Sequence, residues 1–350
     1  MTDHSGGFVG IGYANPHSLI AVRLLTREHE ETGPAFVHQR VELAKRFRDQ
    51  LYPGRESCRV FFSESDLLPG LIVDRYGKHL CVQSLTAGVE QLMPAILDAL
   101  VETYAPEGII LRNDTGLRQL EGLPLEKKIA YGNYDGPVDV EIGGLHFKVD
   151  LMEGQKTGFF LDQVDNYPVL DTISEGEDAL DLFCHTGAWA MSAVKKGATS
   201  CTGIDSSAQA LDTASANTKL NGLESGVRFV REDVFGALKR LGSEGRRYGL
   251  IISDPPAFIK SRSKIAEGLK GYRDLNTRVM RLVKPGGWLV SCSCSHHMDR
   301  ETFLEVLRSA AAGAGRTVRL VEFRSQSRDH PVLLAAPETE YLKCVLLQVL

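Results

Sequence analysis

Apolar runs of strand length alternate with helical patterns in the second half of the chain. The run 179–183 is short and continuous, as expected of a buried parallel strand, and 188–196 has the pattern of a helix that ends before Gly197. By the same criteria we predict further strands over 200–204, 227–230, 248–253 and 288–291, and further helices over 207–220, 234–241, 273–283 and 300–312. Repeated strand–helix units predict an α/β fold with a mostly parallel sheet covered on both faces. Two further strands, over 318–322 and 341–350, are predicted to form a hairpin across the sheet edge.

The first half of the chain lacks this regular alternation. Helical spacing covers 36–51 and 89–104, and strand-like runs cover 59–63, 70–74, 79–84, 108–112, 138–141 and 145–150. Strands and helices without strict alternation predict an α+β domain. Two short strands over 8–13 and 19–25 precede it. Since two strands are not stable alone, we expect either that they pack on that domain or that a segment preceding them is missing. The predicted domains are 1–27, 28–150 and 151–350.

Composition narrows the classes of function. The chain has 350 residues, 43% of them hydrophobic, and a formal net charge of −5, which does not favour a general nucleic-acid binder but leaves local basic patches open. No apolar run reaches the roughly 18 residues that a membrane span needs, and the N-terminus lacks the pattern of a secretory signal. The seven cysteines include no C-x-x-C pair, so we expect reduced thiols in the cytoplasm rather than a metal site.

Acidic residues follow the predicted parallel strands where these reach one rim of the sheet. The turn after 179–183 has a single glycine, Gly187, instead of the G-x-G-x-x-G of a nicotinamide-binding turn. Asp205 follows the next strand and suits two ribose hydroxyls, and Asp233 suits an exocyclic adenine amino group. Together with Asp254 they predict an adenosine site without a phosphate cradle. Each acid taken alone could equally be a helix cap.

The run D-P-P-A-F at 254–258 is the sharpest of these signals. Pro255 and Pro256 stiffen the backbone after the strand, so that Asp254 and its neighbouring carbonyls present a fixed edge to a planar, amine-bearing group. Phe258 could stack on that group. The alternative is a rigid turn followed by a core phenylalanine.

Two cysteines lie in the run S-C-S-C-S at 291–295. Their side chains share a parity along the predicted strand, but only Cys294 lies past it, where a thiolate can face the crevice. We therefore predict that Cys294 is a nucleophile and Cys292 is structural, the alternative being that Cys294 is a small buried hydrophobe. The glycine-punctuated segment 154–163 is either a linker or a flap that closes on a ligand.

Motifs spread over nearly the whole chain carry a family resemblance. They are L-P-G-L-I-V-D-R-Y-G (68–77), K-T-G-F-F-L-D-Q (156–163), D-L-F-C-H-T-G (181–187), D-P-P-A-F (254–258), G-Y-R-D-L-N (271–276), S-C-S (293–295), D-H-P (329–331) and Y-L-K (341–343). With them the chain resembles the RlmI family of S-adenosylmethionine-dependent 23S ribosomal RNA cytosine-5 methyltransferases. The resemblance implies a Rossmann-like class I methyltransferase domain, a central α+β domain and an N-terminal PUA domain, of which residues 1–27 match only the tail.

The resemblance also implies roles for residues. Cys294 would attack C6 of the cytosine, and Asp254 would hold the N3/N4 edge of that base. S-adenosylmethionine would lie along Gln163, Phe183, His185, Thr186, Gly187, Asp205, Ser206, Asp233 and Asp254, and the substrate base along Pro255, Pro256 and Phe258. Ribosomal RNA is the implied partner, no membrane is involved, and a homodimer is left open.

Two other functions remain compatible with the sequence. An N-directed RNA methyltransferase, for example one that forms 7-methylguanosine, would share the D-P-P-aromatic run but would not need a nucleophilic cysteine. A non-catalytic RNA-binding ribosome-assembly factor would not need the polar rim at all.

Overall fold

The structure is a computed structural model that describes residues 1–350, which form two compact units. The first unit comprises Met1–Ile142, Lys148–Asp162 and Ser327–Thr339, and the second comprises Gly143–Phe147, Gln163–Gln326 and Glu340–Leu350. Each unit is therefore made of several chain segments, because the chain leaves and re-enters each of them. The division into domains 1–27, 28–150 and 151–350 stays a prediction.

A five-stranded sheet forms the centre of the first unit. Its strands are β3 (Ser57–Phe62), β4 (Leu71–Tyr76), β5 (His79–Ser84), β6 (Gly108–Asn113) and β7 (Glu126–Gly132), in that spatial order. Helices α1 (Pro34–Leu51) and α2 (Ala87–Tyr104) share one apolar core with it. Only the pair β5–β6 is parallel, and α2 is the crossover that a parallel connection requires. Strand β7 was not predicted, because it is an edge strand whose residues are all exposed or half-buried.

The two leading strands pack within the same unit. Strands β1 (Ile11–Ala14) and β2 (Val22–Thr26) form an antiparallel pair, each beginning later than predicted. The Tyr13 hydroxyl lies 3.0 Å from Thr86 Oγ1, and Arg23 pairs with Glu121 at 3.0 Å. The expectation that these strands pack on the following elements is therefore confirmed.

A hairpin precedes the domain boundary predicted at residue 150, and an ordered connection follows it. Strands β8 (Val138–Ile142) and β9 (Leu145–Val149) are joined by Gly143-Gly144, both with positive φ, as a tight hairpin turn requires. In the segment 154–163, the Phe159 amide donates to the Tyr76 hydroxyl of β4 at 3.0 Å. A 3-10 helix follows over Leu161–Thr172. The connection is thus held by its own contacts, and its closing on a ligand stays a prediction.

A seven-stranded, mostly parallel sheet forms the second unit, as predicted. Its strands are β10 (Asp178–Leu182), β11 (Ser200–Asp205), β12 (Val227–Arg231), β13 (Tyr248–Ser253), β14 (Val283–Ser293), β15 (Val318–Arg324) and β16 (Lys343–Val349). The spatial order is β12-β11-β10-β13-β14-β16-β15, and the pairs are parallel except for the two that β16 forms with β14 and β15. The carboxyl ends of β10, β11 and β13 therefore share one rim, where an open α/β sheet binds its ligands.

Five helices cover this sheet, and two of the predicted bounds were wrong. The helices are α3 (Ala188–Lys195), α4 (Ala208–Leu220), α5 (Val234–Ser243), α6 (Ile265–Leu282) and α7 (Arg300–Ala314). Helix α6 begins eight residues earlier than predicted, because Ile265, Leu269 and Tyr272 extend its apolar face onto the core. Strand β14 begins at Val283 instead of 288, because Val283 pairs with Tyr248. No helix combines the length and the hydropathy needed to cross a membrane.

Candidate active site

The turn between β10 and α3 is built from unusual backbone conformations. Phe183, His185 and Gly187 have φ of 62°, 48° and 81°, in the left-handed region that only glycine adopts without cost. A Cβ on Gly187 would lie 2.7 Å from the Phe229 ring, so this position also needs glycine for space. Thr186 is half-buried in the same turn. Two non-glycine residues in this conformation indicate a turn whose shape is fixed by its surroundings.

Asp205 is one of the residues that hold the turn after β10 in this shape. Its Oδ2 accepts the His185 amide at 3.0 Å, and its Oδ1 accepts the Ser207 amide at 2.9 Å. An ionised carboxylate has about four acceptor positions, so two amide bonds leave capacity for ligand hydroxyls. Asp205 thus lies at the predicted strand end and ties the turn after β10 to the end of β11. The adjacent Ser206 is exposed.

Asp233 caps a helix, which is the alternative role that the sequence left open for it. It is the N-cap of α5, and its Oδ1 accepts the Gly236 amide at 2.9 Å. The residue is exposed beyond the end of β12. The contact predicted for it with an adenine amino group stays a prediction.

Asp181 is a buried acid that the sequence did not single out as a separate site. Its Oδ2 accepts the Ala190 amide of α3 at 3.0 Å, whereas its Oδ1 is buried without a hydrogen-bond partner. Burial raises the pKa of this carboxyl well above its usual range, and the nearby Asp254 and Asp205 add to the effect. An unpartnered buried polar atom is costly, so this oxygen points to a polar group of a ligand that completes the site.

Asp254 is oriented by two side-chain donors. Its Oδ2 accepts Gln163 Nε2 at 2.9 Å and Trp189 Nε1 at 3.2 Å, and Gln163 Oε1 in turn accepts Asn166 Nδ2 at 2.7 Å. The structure thus brings together Gln163 and Asp254, which lie 91 residues apart. Trp189 is a member of this group that the sequence analysis missed, because its position in the first turn of α3 gave no signal of its partner.

The residues after Asp254 form a rigid connection towards the end of β14. Pro255 is buried and Pro256 is exposed. The half-buried Phe258 ring lies 4.6 Å from the Tyr272 ring, and the Tyr272 hydroxyl lies 2.9 Å from Ser295 Oγ. Phe258 therefore has packing partners of its own, and its stacking on a substrate base stays a prediction.

The two cysteines of the S-C-S-C-S run have different environments. Cys292 is fully buried within β14 opposite Cys344, and burial raises the pKa of its thiol well above the usual range. Cys294 follows the end of β14, is half-buried, and its Sγ lies 3.9 Å from the Pro255 carbonyl oxygen. The structure thus places the predicted nucleophile beside the D-P-P connection and the predicted structural cysteine in the core.

Lys343 is a second residue that the sequence analysis quoted without a role. It begins β16 directly opposite Ser293, and its ammonium donates to the carbonyl oxygens of Ser295 at 2.8 Å and Tyr341 at 2.7 Å. Burial lowers the pKa of this ammonium to about 8. Its proximity to Cys294 depends on the pairing of β14 with β16, which residue spacing does not reveal.

Comparison with known proteins decides the family. A family model of S-adenosylmethionine-dependent methyltransferases matches residues 86–336. This chain belongs to that family. A PUA-like domain model matches residues 1–27. Ribosomal RNA large subunit methyltransferase I of Serratia proteamaculans (strain 568) is 37% identical over 97% of this chain and 87% of that protein. The protein of the same name from Escherichia coli O157:H7 is 35% identical over 98% of this chain and 88% of its own length.

Solved structures agree on the fold. A Streptococcus mutans protein classed as a SAM-dependent methyltransferase superposes with a TM-score of 0.86 at 20% identity, over 99% of this chain and 90% of that one. A further neighbour, with a TM-score of 0.88, was crystallised with SAH. The SAM-dependent methyltransferase from Agrobacterium tumefaciens has a TM-score of 0.60 at 18% identity, over 83% of this chain and 89% of that one. The predicted α/β methyltransferase fold is confirmed.

S-adenosylmethionine, the cofactor of the family, suits the residues at the rim. The carboxylate of Asp254 offers negative charge to a ligand that carries a sulfonium cation, and the unpartnered Oδ1 of Asp181 offers a polar atom that such a ligand could satisfy. Asp205 has acceptor capacity for ribose hydroxyls. The residues present therefore fit the group, and the individual contacts predicted for Gln163, Phe183 and the others of that set stay predictions.

Proposed function

We propose that this methyltransferase forms 5-methylcytosine in large-subunit (23S) ribosomal RNA, with Cys294 as the nucleophile. One observation carries the proposal: Cys294 is half-buried beside the Pro255 carbonyl, whereas the other six cysteines are buried. A thiol outside the core, next to the connection that follows Asp254, is what a cytosine-directed reaction needs and an N-directed one does not. The two relatives, both called ribosomal RNA large subunit methyltransferase I, support the choice of RNA.

Cytosine C5 is a poor nucleophile, so the proposed reaction begins with a step that activates it. The Cys294 thiolate adds to C6, forming an S–C6 bond, and the electrons of the C5–C6 double bond make C5 nucleophilic. S-adenosylmethionine supplies the electrophilic methyl group when bound. After the methyl group is attached, a base removes the C5 proton, the double bond re-forms, and Cys294 leaves as a thiolate.

Asp254 is proposed to orient the base. Its Oδ2 is already held by Gln163 and Trp189, so the carboxylate cannot rotate freely and presents a fixed edge to the N3/N4 side of cytosine. The carboxylate can accept a hydrogen bond from the N4 amino group and so keeps the ring oriented while sulfur adds to C6. Because the ring must be reached from its face, a paired target has to be flipped out or presented unpaired. The reduced thiols are compatible with the cytoplasm, and a homodimer stays a prediction.

Nucleoside mapping tests the product. The protein is incubated with unmodified large-subunit RNA and S-adenosylmethionine, and the methylated nucleoside is identified by mass spectrometry after digestion. We expect 5-methylcytidine from the parent protein, none from Cys294→Ala, and continued formation by the matched control Cys292→Ala. RNA containing 5-fluorocytosine should form a covalent complex on Cys294, because fluorine cannot leave as a proton does. Near-parental methylation by Cys294→Ala, or a product such as 7-methylguanosine, would make the N-directed function the better one.

A further inference from the structure

Lys343 reaches the residues on both sides of Cys294. It is the cross-strand partner of Ser293, and its Nζ donates to the carbonyl oxygen of Ser295. Neighbours directly opposite in a ladder have side chains on one face about 5 Å apart. The lysine side chain thus extends along the segment 293–295, which contains Cys294 and lies at the end of β14.

The environment of Lys343 is unusual for a lysine. Its exposed fraction is 3%, and its Nζ donates hydrogen bonds to two backbone carbonyls instead of to carboxylates. A buried ammonium is costly unless an opposite charge compensates it. Cys294, Glu340 and Asp299 each favour its charged form. Because Nζ binds the carbonyl oxygen of Ser295 and Lys343 lies opposite Ser293, the two residues that flank Cys294, the sulfur is the counter-charge that this geometry favours.

We propose that Lys343 is a positioning residue whose ammonium is the counter-ion of the Cys294 thiolate. The inference rests on the proposed role of Cys294. In the activating step the S–H bond breaks, sulfur keeps the electron pair, and the proton passes to water while Lys343 stays protonated. Because Cys294 both enters and leaves the RNA adduct as a thiolate, the ammonium can hold it through many turnovers.

Other charged and titratable groups surround Lys343 and Cys294, but none of them takes the role of the cation or of the thiolate. They are Asp254, Tyr272, Cys292, His296, Asp299, Glu340 and Cys344. Burial raises the pKa values of Tyr272 and Cys292, so both are neutral when Cys294 would ionise. Asp299 and Glu340 favour the ammonium form of Lys343, which strengthens its action on the sulfur. The two carbonyls that bind Nζ fix its position and leave one of its three N–H groups for the thiolate.

The test measures the reactivity of Cys294 without any methyl transfer. The full chain is alkylated with iodoacetamide over a range of pH, and the peptide that contains Cys294 is quantified by mass spectrometry in the parent, Lys343→Met and Lys343→Arg. We expect the pH of half-maximal alkylation to rise by about one unit or more in Lys343→Met, which is about a tenfold lower rate at neutral pH. Lys343→Arg should recover most of the loss, and the surface control Lys239→Met should leave the profile unchanged.

The outcomes separate this inference from the proposed function. Cofactor binding by calorimetry and protection of the buried Cys292 from alkylation show that each variant is folded. An unchanged alkylation profile in folded Lys343→Met overturns the role of Lys343, even if 5-fluorocytosine RNA still traps Cys294 in the parent. Conversely, a shifted profile together with trapping elsewhere leaves the Lys343–Cys294 pair standing and removes the proposed methylation mechanism.

Discussion

The burial of Lys343 makes the stability of the protein depend on pH in a defined window. Its pKa falls from 10.5 in a free lysine to about 8 in the folded chain, because burial disfavours the ammonium. One pKa unit corresponds to about 1.4 kcal/mol, so the folded state is about 3 kcal/mol less stable at neutral pH than it would be with an unperturbed lysine. Between about pH 8 and about pH 10.5 the unfolded chain keeps a proton that the folded chain has lost, so stability rises with pH.

The substitution Lys343→Met removes this dependence. Methionine also loses the two hydrogen bonds to Ser295 and Tyr341, but that loss does not vary with pH. The informative quantity is therefore how the difference between the unfolding free energies of parent and variant changes with pH. Urea unfolding of both proteins from about pH 7 to about pH 10 should show the parent gaining about 2 to 3 kcal/mol relative to Lys343→Met. In a Cys294→Ala background the gain should begin at lower pH, because the attraction of the sulfur is lost. Parallel curves for parent and variant over the whole range would refute the reasoning.

Three further predictions concern the rim of the parallel sheet. Gly187→Ala should destabilise the protein by about 1 to 2 kcal/mol, because alanine at φ 81° is strained and its Cβ meets Phe229, and an unchanged urea midpoint would contradict this. Asp205→Ala should weaken S-adenosylmethionine binding more than Asp233→Ala does. Asp233→Ala should instead lower the stability by about 1 kcal/mol, because α5 loses its cap. The opposite ranking, in binding measured by calorimetry and in stability measured by unfolding, would reverse these roles. Asp181→Asn should gain stability relative to the parent as pH rises above about 4, because the folded carboxyl keeps a proton that the unfolded one releases. Unfolding at several pH values checks this last prediction, and a constant difference between the two proteins argues against it.

Local patterns predicted most strands of the parallel sheet because each is a short apolar run with a breaker after it. Strand β13 has the predicted bounds 248–253. The start of α6 was missed because Gly268 and Gly271 lie in its first turns, where glycine usually indicates a break. The structure explains the first of them by close packing: a Cβ on Gly268 would lie 2.4 Å from the Ile259 side chain. Glycine is there for space, and sequence spacing does not show that neighbour.

The candidate site was predictable only as far as strand ends determine it. Asp205 and Cys294 lie where the end of a strand predicted them, because the carboxyl ends of parallel strands share a rim. The donors to Asp254 were not predictable, since Trp189 is 65 residues away and meets it only after α3 packs on the sheet. The position of Lys343 near Cys294 was likewise not predictable, because its pairing with Ser293 depends on a strand order that local sequence does not reveal.

The position of β16 between β14 and β15 has a consequence for biosynthesis. β16 follows every other strand of the sheet in the sequence, yet it pairs with both β14 and β15, so β15 has no partner in the sheet until β16 inserts. Closing a non-local pair is slow compared with local folding, and synthesis delivers this strand after the rest of the sheet. A nascent chain would therefore hold Cys294 without its lysine. The thiol would gain its reactivity only at the final step of maturation, so partly made chains would be spared from oxidation and from futile attack on RNA.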